Sequence, residues 1–186
     1  MRKEVIIKIR SQFHEVEPEK TDAIRFLTEM KHAASEDAGA EITSEGFDAM
    51  LKELFENDPE TMEICTEGEL FADDGRIEVK YTEPAPTGMG ETVTSISFDP
   101  SDRGLVAIMR GGDVYTALIL ESGVRHSCVY NTSYMPITIY TTAKRVENTL
   151  TENGGELYLV YTVESGLGPE QFNRMNISVT PRETND

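Results

Sequence analysis

Residues 104–130, GLVAIMRGGDVYTALILESGVRHSCVY, read as three short strands with two reversals between them. Arg110-Gly111-Gly112-Asp113 makes the first reversal and Glu121-Ser122-Gly123-Val124 the second. Glycines supply the positive φ angles that tight hairpin turns need, and β-branched residues cluster on either side. One hairpin running directly into the next is an antiparallel meander.

The alternation continues in both directions. Upstream, Val5, Ile7 and Ile9 share one face of a strand over 4–13, with Lys8 and Arg10 on the other. Met62–Phe71 and Arg76–Glu83 pair about an Asp73-Asp74-Gly75 turn, with Ile77, Val79 and Tyr81 on one face. A loop rich in Pro and Gly spans 84–90, and Glu91–Phe98 returns to strand. Downstream, Ile137, Ile139 and Thr141 alternate in a strand that runs on toward Leu150. Asn153-Gly154-Gly155 marks a hairpin, Leu157 to Val163 alternate after it, and Met175, Ile177 and Val179 form the last strand. So long a meander must close or fold over, because open sheet edges invite aggregation. The expected fold is mainly β: a single antiparallel up-and-down barrel of eight to ten strands, with a sandwich as the alternative.

One block breaks the pattern. Residues 14–60 hold 14 acids against 4 bases, a net of −10 within a chain whose formal charge is −17. Ile24, Leu27, Met30 and Ala34 have helical spacing. Phe47, Met50, Leu51, Leu54 and Phe55 follow an i, i+3, i+4, i+7, i+8 pattern behind Thr43 or Ser44 as N-cap, and Pro59 ends the second helix. The expected organisation is one domain over 1–186: a barrel from 1–13 and 61–180, an acidic two-helix insertion over 14–60 after strand one, and a polar tail over 181–186. The insertion either docks its apolar stripe on the barrel or holds it free for a partner.

Composition excludes several classes. A chain this acidic does not suit phosphate backbones or anionic membrane surfaces, which call for clustered Lys and Arg. The N-terminus lacks a signal h-region, and no apolar run reaches the length of a membrane span. Cys65 and Cys128 fall inside strands and read as reduced, buried thiols of a cytoplasmic protein.

Thr66-Glu67-Gly68, Tyr81-x-Glu83, Thr87-Gly88-Met89, Arg110-x-Gly112, Gly123, Tyr130-x-Thr132-x-Tyr134, Gly154-Gly155 and Tyr161 occur in an order that resembles the YwiB-like family of uncharacterised bacterial proteins. The resemblance covers strand one and residues 61–180. It implies a calycin-type barrel, akin to lipocalins and fatty-acid-binding proteins, and carries no established activity. This chain has Met135-Pro136 where the family pattern has a Gly after the position of Tyr134, and its helical block is longer than the family's loop.

Two charged residues have the parity of core positions. Arg110 follows Val106 and Ile108, and Glu83 follows Ile77, Val79 and Tyr81. If those faces point inward, both charges meet the barrel interior near its end, where a charge must be paired or wet. They are a structural ion pair or rim charges on one reading. On the other, Arg110 anchors an anionic head group, with Tyr130, Tyr134 and Tyr161 offering hydroxyls. His126 and Cys128 share a strand face, but a two-residue offset keeps them about 6–7 Å apart, so neither a nucleophile pair nor a metal site is expected. His14 and His32 read as solvated residues of the insert. The Thr87-Gly88-Met89-Gly90 loop lacks the Lys-Ser/Thr of a phosphate cradle and reads as a mobile loop at the barrel's end.

Three function classes follow. A barrel enclosing a small apolar or amphipathic ligand, without catalysis or cofactor, ranks first. A filled barrel that docks a partner, or a second copy, through residues 43–57 is the alternative. An enzyme ranks last, because no constellation of nucleophile, base and oxyanion donors can be assembled.

Overall fold

The structure, a computed structural model, describes residues 1–16, 49, 59–73, 75–131, 135–165 and 170–182. Ten strands form one antiparallel sheet: β1 (Arg2–Val16), β2 (Glu60–Asp73), β3 (Arg76–Thr82), β4 (Thr92–Asp99), β5 (Asp102–Gly112), β6 (Thr116–Glu121), β7 (Arg125–Asn131), β8 (Pro136–Asn148), β9 (Gly155–Ser165) and β10 (Glu170–Pro181). The order is β6-β5-β4-β3-β2-β1-β10-β9-β8-β7, so sequence neighbours pair throughout and β1 joins the last strand to the first. This is the expected up-and-down wall with ten strands. A single 3₁₀ turn, Ala85–Thr87, interrupts the loop after β3. Among the described residues no helix is long and apolar enough to cross a membrane.

Closure is incomplete, which corrects the expectation of a closed barrel. The terminal strands β6 and β7 meet through a Tyr115–Asn131 bridge, with backbone bonds of 3.3 and 2.9 Å, and through their turn. No ladder runs between them among the described residues. The edge of β6 turns to β8 instead. The Thr141 hydroxyl donates to the Ile119 carbonyl at 3.1 Å, and the Gly123 amide donates to the Ala143 carbonyl at 2.9 Å.

Other boundaries also shift. β1 runs on through His14, Glu15 and Val16, because those residues stay laddered to β10, Val16 opposite Glu170. Glu60 likewise belongs to β2, opposite Phe13. The expected insertion therefore starts no earlier than residue 17. Its expected helices, with His32, fall outside the described residues except for Ala49, which is helical and exposed, whereas His14 is a half-buried strand residue rather than a solvated one. The first reversal of the opening stretch lies later than expected. Gly111 and Gly112 remain paired with Val93 and Thr92, and the chain turns at 113–115. Gly112 has φ of +139°, and a Cβ there would sit 2.1 Å from the Glu91 carbonyl oxygen. It serves close backbone approach rather than the turn itself.

Inward rows explain both the core and the space above it. Val5, Ile7 and Ile9 of β1, Ile77 and Val79 of β3, Val106 and Ile108 of β5, Leu157 and Leu159 of β9, and Ile177 and Val179 of β10 are buried in one cluster. Leu150, fully buried in the β8–β9 connection, closes the end beneath them. Arg103 holds that connection by donating to the Leu150 carbonyl at 2.8 Å. Lys3 ties its tip to the Glu152 carbonyl and the Asn153 side chain.

Candidate functional site

Toward the opposite end, each inward row changes chemistry. On β1 the apolar run ends at Ser11. On β3 it passes through Tyr81 to Glu83 just beyond the strand, and on β5 it ends at Arg110. On β9 it passes through Tyr161 and Val163 to Ser165, and on β10 through Met175 to Asn173 and Gln171. Period-two geometry makes these residues neighbours in one ring above the aliphatic core. Of these, Ser11, Arg110, Tyr161, Val163, Ser165, Gln171, Asn173 and Met175 line a cavity of about 450 Å³ together with Met62, Met89, Leu118, Tyr130, Ile137 and Ile139. That volume falls in the range of small-molecule sites.

Among the described residues, Arg110 is the single charged residue of the lining. Its side chain is 12% exposed and that of Glu83, behind it, only 2%. Arg110 Nε lies 3.8 Å from Glu83 Oε1, an ion-pair distance too long for a hydrogen bond, and this buried Nε has no acceptor. Glu83 accepts a hydrogen bond from the Thr94 hydroxyl, which occupies the same Oε1. The Tyr81 hydroxyl is also within reach of Glu83 and Thr94. Burial pushes the Tyr81 phenol well above the usual tyrosine range; the Glu83 charge adds to the push and Arg110 opposes it. Burial also raises Tyr161, again against Arg110.

The sign of the resulting pH dependence follows. In the unfolded chain both phenols ionise near 10.0, whereas the folded chain retains their protons to higher pH. The folded state then binds more protons, so stability is full below pH 10 and falls as pH rises beyond it. Denaturant melts across that range should show this decline, and Tyr161→Phe should make it shallower. A slope indifferent to Tyr161→Phe would mean that the phenol is not buried in solution.

Of the residues singled out from the sequence, Arg110, Tyr130 and Tyr161 line the cavity and Glu83 stands behind Arg110; Tyr134 lies outside the described residues. Ser11, Ser165, Gln171 and Asn173 were missed. Their signal is the inward row read to its last member, where polar residues continue the parity of the core. The 84–90 loop reaches the cavity through Met89 and is tied down. Thr87 Oγ donates to the Pro84 carbonyl at 2.9 Å, Thr92 Oγ donates to the Met89 carbonyl at 2.6 Å, and the Glu91 amide donates to Asp113 at 3.0 Å.

His126 and Cys128 each face a different partner across the β6–β7 seam. His126 Nε2 is 3.1 Å from Glu121, and Cys128 Sγ is 3.7 Å from Thr116 Oγ. Both cysteines are free. Cys65 is exposed rather than buried, because it pairs with Lys8 on the outer face of β2. No group of three or more His, Cys, Asp or Glu among the described residues could hold a metal.

An antiparallel wall of ten strands, filled at one end and open at the other around Arg110, defines a small single-barrel protein. The family model "Domain of unknown function (DUF1934)" matches residues 52–177, and the chain belongs to that family. It is 24% identical over 132 residues to the "Uncharacterized beta-barrel protein YwiB" of Bacillus subtilis (strain 168), a match covering 70% of this chain and 88% of that protein. The crystal structure of the B. subtilis ywiB protein superposes with a TM-score of 0.67 at 15% identity, covering 98% of this chain and 94% of that one. The YwiB-like resemblance and the barrel are thereby shown.

Proposed function

We propose that this chain is a non-catalytic, calycin-like binding protein that holds one small amphipathic anion in the cavity. The observation that carries this reading is Arg110, the single charge among the described residues of the lining. A guanidinium has five N–H donors in a fixed fork, and Glu83 at 3.8 Å satisfies Arg110 incompletely. A carboxylate, sulfonate or phosphate head fits beside it, with Tyr130 and Tyr161 flanking, while an apolar tail rests on Ile137, Ile139, Leu118 and Met175. The open volume favours a ligand over a filled barrel. Free Cys65 and Cys128 support the cytoplasmic setting expected from the sequence.

Native mass spectrometry of the purified full chain should reveal a co-purifying small anion. Anilinonaphthalene sulfonate, an anionic amphiphile, serves as a titratable probe. Arg110→Gln combined with Glu83→Gln removes both charges together, so no lone buried carboxylate remains. Losing a hydrogen bond to a charged group costs about 1.5–3 kcal/mol, so the probe's Kd should rise about 10- to 150-fold. An unchanged Kd in the folded double variant would move the site away from Arg110.

Residues 43–57 admit a second reading as a partner-docking surface. Against that reading stands the outer wall of β9, β10 and β1, which is covered. Val16, Val160, Thr162 and Phe172 have outward parity, yet each is at most 1% exposed. Phe172 stands opposite both His14 and Thr162. An outward barrel residue is buried only when something covers the wall from outside. By sequence, the apolar stripe from Phe47 to Phe55 has the chemistry of such a cover.

A further inference from the structure

A different wall carries an interaction surface. On β5, Val106 and Ile108 face the core, yet the outward residues Leu105, Ala107 and Met109 are apolar as well. A strand apolar on both parities is the pattern of one covered on both faces. The wall around it is exposed: Val93 is 46%, Met109 50%, Tyr115 57% and Val129 50% exposed. These positions are contiguous. Val93 pairs with Gly111 and Met109 with Ala117, and the Tyr115 ring lies 3.8 Å from where a Gly111 Cβ would be. The bridge between Tyr115 and Asn131 brings Val129 alongside.

The outward positions at 93–97, 105–111 and 117–119 include no charged residue, in a chain of net charge −17. Charge resumes at the borders. Glu78 is paired with Arg76 and Lys80 on β3, Glu121 ends β6 beside His126, and Arg125, which opens β7, is paired with Glu164 of β9. That distribution selects the occupant. A basic partner would be drawn to the carboxylates elsewhere, whereas two copies of a polyanion can approach closely only through a face without charge.

We propose that this wall of β4–β7 is a two-fold interface between two copies of the chain. In such an isologous contact the same patch serves both sides. Met109 of one copy meets the shallow surface over Ala107 and Ala117 of the other, with Tyr115 and Val129 at the margins. The three laddered strands β4–β6, about 4.8 Å apart with three outward residues each, make a patch of roughly 300 Å², which Val129 of β7 extends. This is below the roughly 800 Å² per partner of standard stable complexes. The dimer is therefore weak and concentration-dependent.

Sedimentation velocity of the full chain, from micromolar to hundreds of micromolar, should show the 20.8 kDa monomer shifting toward twice that mass. Raising the salt to about 0.5 M should tighten the dimer by screening the like charges outside the patch. Met109→Glu changes a half-exposed side chain and should raise the dissociation constant at least about tenfold, with Val129→Glu doing the same as an independent variant. A monomer at every concentration overturns the proposal, as does a dimer that Met109→Glu and Val129→Glu leave intact. A dimer abolished by Leu51→Glu but not by Met109→Glu overturns it equally, because the contact would then run through residues 43–57.

Discussion

Arg110→Ala should destabilise the fold by about 3–5 kcal/mol, the scale for removing one partner of a buried ion pair. The cost arises from what remains. Glu83, with a side chain only 2% exposed, would keep the Thr94 hydroxyl but lose its cation. The same substitution in a Glu83→Gln background should cost far less, since a neutral amide tolerates the site without a counter-charge. Urea melts of the wild type, both single variants and the double variant form a complete cycle. Their non-additivity measures the coupling between the two side chains. Equal costs in the two backgrounds would mean that Arg110 contributes only packing, and the electrostatic account of the site would be wrong. Run on protein refolded from denaturant after dialysis, so that no bound anion adds to stability, the cycle separates the structural use of Arg110 from its proposed binding role.

The parity that placed Arg110 was legible because strand periodicity is local. Ile77, Val79 and Tyr81 set a face on which Glu83 must fall, and the structure keeps it there at 6% exposure. Val5, Ile7 and Ile9 were readable for the same reason. What the residues conceal is non-local. Gly111-Gly112 reads as a turn, yet Gly112 is required by the Glu91 backbone crossing beside it, a neighbour twenty-one positions away. The open seam between β6 and β7 depends on Thr141 and Ala143 of β8 taking the bonds that a ladder would have used. Polar lining residues such as Gln171 and Asn173 look like surface positions until ten strands bring their ends into one ring. Cys65 shows the converse error: an apolar residue type was assigned inward although the strand's parity, read against Ile64, puts it outside.

Phe172→Ala should cost about 3–5 kcal/mol, the usual range for truncating a buried phenylalanine. Parity alone predicts almost nothing, because Phe172 points away from the barrel interior, opposite in phase to Asn173, Met175 and Ile177 of the same strand. Val129 supplies the comparison. It too faces outward, but at 50% exposure, so Val129→Ala should stay within about 0.5 kcal/mol of wild type in dilute solution. The contrast between two outward residues isolates the cover over β9, β10 and β1 from everything inside the barrel. Thermal or urea melts of both variants at low micromolar concentration measure it, below the range where self-association through Val129 would contribute. If Phe172→Ala costs less than about 1 kcal/mol, the outer wall is open in solution and the stripe from Phe47 to Phe55 is free for a partner. If it costs the full amount and Leu54→Ala destabilises comparably without further loss when the two are combined, the two side chains share one contact, and the insertion is part of the barrel's stability.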